Sequence, residues 1–137
     1  MAILRLPVRN DIAEWKRVNF ALGEFLEEEG LTSEGIHRVR LVVEELLVNV
    51  IRHAFDDKAS HSITLDVRTE PSQAVIVIED DGRAFDPRQR PEPELGTPRQ
   101  PSGGGGLGIY IVKRMTSDLD YTRENNRNRV RAVVKTS

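Results

Sequence analysis

The stretch from Thr32 to Phe55 constrains the fold more than any other. Ile36, Val39, Val42, Val43, Leu46, Leu47, Val50, Ile51 and Ala54 recur at helical spacing. That predicts one helix of about six turns, capped by Thr32 or Ser33. Its apolar arc is wide, so most of the helix has to be covered by other elements. Two polar residues break into the arc. Glu45 and Asn49 stand four apart on one face, with His53 one turn further along. A buried carboxylate or amide is costly unless it is paired. The spacing fits a functional cluster, and equally an ordinary polar stripe at the edge of a core.

The elements around it follow the same rules. Residues 2–8 alternate loosely and read as a short strand. Asn10 or Asp11 caps a helix whose apolar positions run from Ile12 to Leu26 and whose end is marked by Glu27, Glu28, Glu29 and Gly30. Three glutamates at a helix C-terminus oppose the dipole, and nothing local compensates them in the sequence. Ser62–Arg68 alternates. Ala74–Ile78 is a continuous apolar run, as in a strand buried on both faces. A third helix begins at Leu107 and ends near Ser117. Leu119–Arg123 reads as a strand, Glu124–Asn128 as a turn, and Val130–Val134 as the last strand. The order β-α-α-β-β-loop-α-β-β predicts one mixed sheet with helices packed on it.

Two segments lie between these elements. The run Glu79-Asp80-Asp81-Gly82-Arg83-Ala84-Phe85-Asp86 ends the buried strand with three carboxylates beside a glycine. Loops at strand ends on a rigid sheet carry sites. Asp-Gly is also a plain turn signal, and an acidic turn can hold a hard cation, although the spacing misses the calcium-loop pattern. Residues 87–103 then carry five of the seven prolines, which excludes a regular helix or a central strand. A loop of that length is a lid or a linker. It runs into Gly103-Gly104-Gly105-Gly106-Leu107-Gly108 at the start of the third helix. Glycines before a helix N-terminus suit a phosphate cradle. Gly103, Gly105 and Gly108 formally satisfy the dinucleotide fingerprint, but no strand precedes them, and the Lys-Ser/Thr ending of a P-loop is missing.

Composition narrows the class. The chain has 137 residues, 38% hydrophobic and 31% charged, as expected of one soluble globular domain over 1–137. A net charge of -2 gives no electrostatic case for nucleic acid or an anionic membrane as the main partner. There is no cysteine, hence no disulfide or thiolate metal site, and the N-terminus lacks a signal-peptide core. A cytoplasmic protein is expected.

Three motifs stand in one order: VVEELLVNVIRHAF, EDDGRAFDP and GGGGLGIYIVKRM. They resemble the N box and the two glycine boxes of the GHKL (Bergerat-fold) ATPases. Over nearly its full length the chain is similar to the short anti-sigma-factor serine kinases of the RsbW and SpoIIAB type. The resemblance implies an α+β fold, a two-layer α/β sandwich of the Bergerat type. Its mixed, mostly antiparallel sheet would pack against about three helices, with an ATP lid at about 87–105. It implies ATP and Mg2+ as cofactors. Asn49 would hold the magnesium and Glu45 would be the general base. Arg52 or His53 would reach phosphate or ribose. Asp80 would accept the adenine amino hydrogen, and Gly82 would let the base approach the backbone. Gly104, Gly105, Gly106 and Gly108 would wrap the phosphates, with Leu107 packing nearby. Ala84 stands where relatives often carry a second glycine, and the final strand lacks an obvious Gly-Thr pair.

The resemblance also implies partners: a STAS-domain anti-anti-sigma protein phosphorylated on serine, and a sigma factor or equivalent regulator that is sequestered. It implies a homodimer formed through strand 2–8. A non-catalytic ATP-gated binding module would carry the same motifs. A histidine-kinase catalytic domain would need a separate phosphoacceptor, and His37 is tied to the same helix as Glu45.

Overall fold

A computed structural model describes residues 2–89 and 107–137, with the Leu107 side chain excluded. Most of the expected lid, and Gly104, Gly105 and Gly106 with it, lie outside the described residues. In chain order the elements are β1 (Ile3–Arg9), α1 (Trp15–Glu28, entered through a 3-10 turn at Ile12–Glu14), α2 (Ser33–His53), β2 (Ser62–Glu70), β3 (Gln73–Asp80), α3 (Leu107–Met115), β4 (Thr116–Glu124) and β5 (Arg127–Lys135). The sheet has five strands in the order β1-β2-β3-β5-β4. Every pairing is antiparallel. The α+β sandwich is as expected, but the parallel component of a mixed sheet is absent among the described residues. The chain leaves β3, passes through α3 to the far edge at β4, and returns by a hairpin to fill the gap with β5.

The helices cover one face. Ile63, Leu65, Val67, Ala74, Ile76, Ile78, Val130, Ala132 and Val134 alternate along the strands and join the buried residues of α1, α2 and α3 in one core. α2 buries Ile36, Val39, Val42, Val43, Leu46, Leu47 and Val50, whereas α1 buries Val18, Leu22 and Leu26. At about 1.5–3 kcal/mol for each buried side chain, α2 contributes roughly twice as much as α1. It is the central helix because of that. Thr32 caps it, accepting from the Gly35 N–H at 3.1 Å. Among the described residues no helix is long and apolar enough to cross a membrane.

Several details depart from the sequence reading. β3 is not buried on both faces by a second layer. On its outer face Val75 and Val77 lie in register with charged neighbours, Arg68 across from Val75 and Asp66 and Arg131 across from Val77. Those side chains form ion pairs, Arg5–Asp66, Arg68–Glu70 and Arg131–Asp118, so charged stems rather than a helix flank the valines. α3 ends at Met115 and β4 begins at once, before Ser117. The final turn is only Asn125-Asn126, both at positive φ (53° and 60°), the geometry of a two-residue hairpin. At the end of α1 the relief comes from a distant strand for one glutamate and from a backbone turn. Glu29 accepts from the Thr69 hydroxyl at 2.6 Å, and Gly30, at φ 80°, returns its N–H to the Glu27 carbonyl at 3.0 Å.

Candidate functional site

The face of α2 that carries Glu45, Asn49 and His53 spans eight residues, about 12 Å of helix axis. At its N-terminal end Glu45 meets α3. A Cβ on Gly108 would collide with the Glu45 carboxylate, the carboxyl carbon lying 2.9 Å from it. The first turn of α3 therefore passes Glu45 closely because residue 108 has no side chain. In the middle, Asn49 is buried, and its Nδ2 has no hydrogen-bond partner among the described residues. A buried amide donor left unpaired is costly. At the C-terminal end the loop after β3 closes on the helix. The Arg83 N–H and Nε donate to the carbonyls of Ala54 and His53, both at 2.8 Å, satisfying groups that a helix end leaves open. Phe85 stacks on His53 with centroids 5.5 Å apart. Gly82 is required by space rather than by φ. A Cβ there would sit 2.8 Å from the Ala54 carbonyl carbon and would clash with its oxygen.

Asp80 is the last residue of β3 and is almost fully buried. Its Oδ1 accepts from the Gly82 N–H at 2.8 Å and from the Asn128 Nδ2 at 2.9 Å. Burial pushes its carboxyl above the usual range, and those two hydrogen bonds only partly offset the effect. The sequence pattern places Asn128 in a turn, but it faces Asp80 across the β3–β5 pairing. It is 1% exposed and its amide is fully used. Nδ2 also donates to the Arg83 carbonyl at 2.7 Å, and Oδ1 accepts from the Tyr121 hydroxyl at 2.5 Å and from Arg123 at 2.9 Å. Arg123 reaches on to the Gly82 carbonyl at 3.0 Å, and Tyr121 accepts from the Phe85 N–H at 3.3 Å. A signal for Asn128 existed in the sequence. It shares the two-residue phase of Val130, Ala132 and Val134, and a polar residue at a core-facing position calls for a partner.

The structure thus brings Glu45 to Gly108, and Asp80, Gly82 and His53 together through Ala54, Arg83 and Phe85. Ala84 lies exposed in that loop. Arg52 is exposed and lines a different cleft, with Arg9, Ile12, Phe55 and Lys58. Behind the acidic loop, His61 Nε2 is 2.7 Å from Asp57, Nδ1 is 3.3 Å from Asp81, and the ring stacks on Phe55.

That arrangement has a pH consequence. The hydrogen bond to Asp57, aided by the charge of Asp81, raises the His61 pKa above the ordinary histidine value. The protonated ring therefore stabilises the fold below the ordinary value, and this contribution is lost as pH rises through the raised one. We expect the melting temperature of the wild type to exceed that of His61→Gln in mildly acidic buffer, and the gap to close in alkaline buffer. A gap that is constant with pH would show that the ring acts by packing alone.

Comparison with known proteins identifies the family. Residues 8–134 match the family described as "Histidine kinase-like ATPase domain". The chain belongs to that family. More narrowly, it is similar to the "Serine-protein kinase RsbW" of Listeria innocua, 23% identical over 120 residues, or 85% of this chain and 75% of that one. It is also similar to the "Serine/threonine-protein kinase BtrW" of Bordetella bronchiseptica, 30% identical over 88 residues, or 64% of this chain and 62% of that one. A crystal structure of the RsbU and RsbW domains of a Mycobacterium tuberculosis protein superposes with a TM-score of 0.69 at 13% identity. The superposition covers 98% of this chain and 32% of that longer one, and it speaks for the fold. The resemblance to the RsbW-type branch of the GHKL ATPases is borne out.

Proposed function

We propose that this chain is a single GHKL domain acting as a protein serine kinase. Its ATP would lie along α2 with the base at Asp80 and the terminal phosphate at Glu45. The observation that carries this reading is the polarity of the helix face. A carboxylate against a glycine stands at one end, a buried amide unpaired among the described residues in the middle, and a buried carboxylate beside a glycine loop at the other. Adenine offers an N–H donor that suits Asp80. His53 and Phe85 flank the ribose region. Gly108 leaves room at the first turn of α3 for the phosphates; Gly104, Gly105, Gly106 and most of the expected lid lie outside the described residues.

The residues suit a magnesium ion held in part by substrate. Among the described residues no group of three His, Cys, Asp or Glu side chains could hold a metal unaided. Magnesium commonly takes one or two protein ligands and completes its shell with phosphate and water. Asn49 would supply such a ligand through Oδ1, and its Nδ2, unpaired among the described residues, would meet a phosphate. When bound, the ion neutralises charge on the phosphate oxygens. Glu45 accepts the proton of the attacking serine hydroxyl. The new bond joins the serine oxygen to the γ-phosphorus, the bond to the bridging oxygen breaks, and ADP leaves.

The protein substrate is a STAS-domain anti-anti-sigma protein, and a sigma factor or equivalent regulator is the sequestered partner. Two copies pair through the β1 edge, and the protein works in the cytoplasm. The test is transfer from radiolabelled ATP to purified STAS-domain proteins, read as acid-stable phosphoserine. We expect Asn49→Ala to weaken magnesium-dependent ADP binding about tenfold, the scale of one charge-assisted contact. Unchanged affinity by calorimetry would remove Asn49 from the site.

A further inference from the structure

The cleft that holds Arg52 shares no lining residue with the site described above. It opens to solvent between the end of β1, the end of α2 and the loop that follows, with a volume of about 610 Å³. Its apolar floor is Ile12, Ile51 and Phe55, and Ile12 is 46% exposed. The lining carboxylates are already engaged. Asp11 accepts from the Ala13 N–H at 3.0 Å, and Asp57 holds His61 and the Ala59 N–H. Arg9 lies 3.4 Å from Glu14. Arg52 and Lys58 have no hydrogen bond or ion pair among the described residues. The cleft lining carries three cations, Arg9, Arg52 and Lys58, against two carboxylates, Asp11 and Asp57, a local positive balance in a chain of net charge -2. The rim is also fixed in advance. Asn10 donates to the Ala59 carbonyl at 3.2 Å and accepts from the His61 N–H at 2.8 Å, so little ordering is needed on binding.

We propose that this cleft docks an acidic segment of the protein substrate, an apolar side chain resting on Ile12, Ile51 and Phe55 and carboxylates meeting Arg52 and Lys58. A free inorganic anion would leave the apolar floor uncovered. Two cations are too few to hold a membrane surface, at about 1 kcal/mol each. Arg52 lies beside His53 at the C-terminal end of α2, about 10 Å along the axis from Glu45, so a segment seated here borders the base end of the site and leaves the phosphate end open to the acceptor serine. Only the identity of the occupant as the phosphorylated partner rests on the kinase reading.

The probe is a fluorescein-labelled peptide with a leucine flanked by glutamates, read by anisotropy beside its glutamine counterpart. The acidic peptide binds saturably and more weakly as salt rises, and the glutamine peptide binds worse. Lys58→Glu and Arg52→Glu each weaken binding about fivefold, while Lys135→Glu on β5 does not. Lys58→Glu keeps its ADP affinity, which confirms that the fold is intact. Peptide-induced amide shifts fall within 9–12 and 51–60. The docking surface is overturned if neither reversal weakens the peptide, if Lys135→Glu does so equally, or if the shifts map elsewhere. It is also overturned if inorganic phosphate displaces the peptide and leucine-to-alanine replacement in the peptide changes nothing. The assay needs no phosphoryl transfer. A protein that binds the peptide yet phosphorylates nothing therefore keeps the docking surface and loses the kinase reading.

Discussion

Glu45→Gln lowers phosphoryl transfer to a serine substrate by about 100- to 10,000-fold, the range for removing a positioned general base. Glutamine keeps the shape and half-buried position of the side chain but cannot take up the hydroxyl proton. Mg-ATP affinity therefore changes far less than the rate, and the loss lies in the chemical step. Gly108→Ala reaches a similar end by another route. The added methyl lands on the Glu45 carboxylate. What it meets is the far end of a flexible side chain, so Glu45 turns aside and the fold survives. The carboxylate is then misplaced at the distance scale where catalysis is sensitive to position. We expect Gly108→Ala to melt close to the wild type and to lose at least about tenfold in single-turnover rate. If single-turnover transfer by Glu45→Gln equals that of the wild type, Glu45 is not the base. If Gly108→Ala unfolds instead, the contact is structural.

How much of this was legible in the sequence follows from which forces are local. The α2 stripe, its Thr32 cap and the shared face of Glu45, Asn49 and His53 depend on helical period alone, and the structure has them where periodicity placed them. Asp80 was legible as a carboxylate ending an apolar strand. Its partner was not, because the contact with Asn128 depends on β5 inserting between β3 and β4, a pairing between distant parts of the chain. The turn was also drawn too wide. Asn125 and Asn126 suffice for it, and the two-residue phase that follows puts Asn128 inward. The room that Gly82 leaves by lacking a side chain is taken by the Ala54 backbone at the end of α2, a contact the sequence does not show. Arg52 had been grouped with His53 as a phosphate or ribose contact. Arg52 lines the other cleft, because consecutive residues on a helix point about 100° apart.

The second large effect is expected at that hidden pair. Asn128→Leu removes both Nδ2 donors, so Asp80 keeps only the Gly82 N–H and the Arg83 carbonyl loses its side-chain partner. It also strips the Tyr121 hydroxyl and Arg123 of their shared acceptor. Each buried polar group left unpaired costs about 1–3 kcal/mol, and the leucine's own burial recovers only part of that. The variant melts lower, and ADP binding weakens about tenfold or more because the acidic loop loses its tie to β5. The pH dependence separates this from general loosening. Burial already raises the Asp80 pKa, while the Asn128 hydrogen bond lowers it. Without that bond the carboxyl titrates higher still. Its ionised form, the acceptor for the adenine amino group, is present above the raised pKa and lost as pH falls through it. The acid limb of ADP affinity should therefore move to higher pH in Asn128→Leu, and Asp80→Asn should show no such limb at all. If calorimetry across that range finds parallel profiles for the wild type and both variants, Asp80 does not read the base.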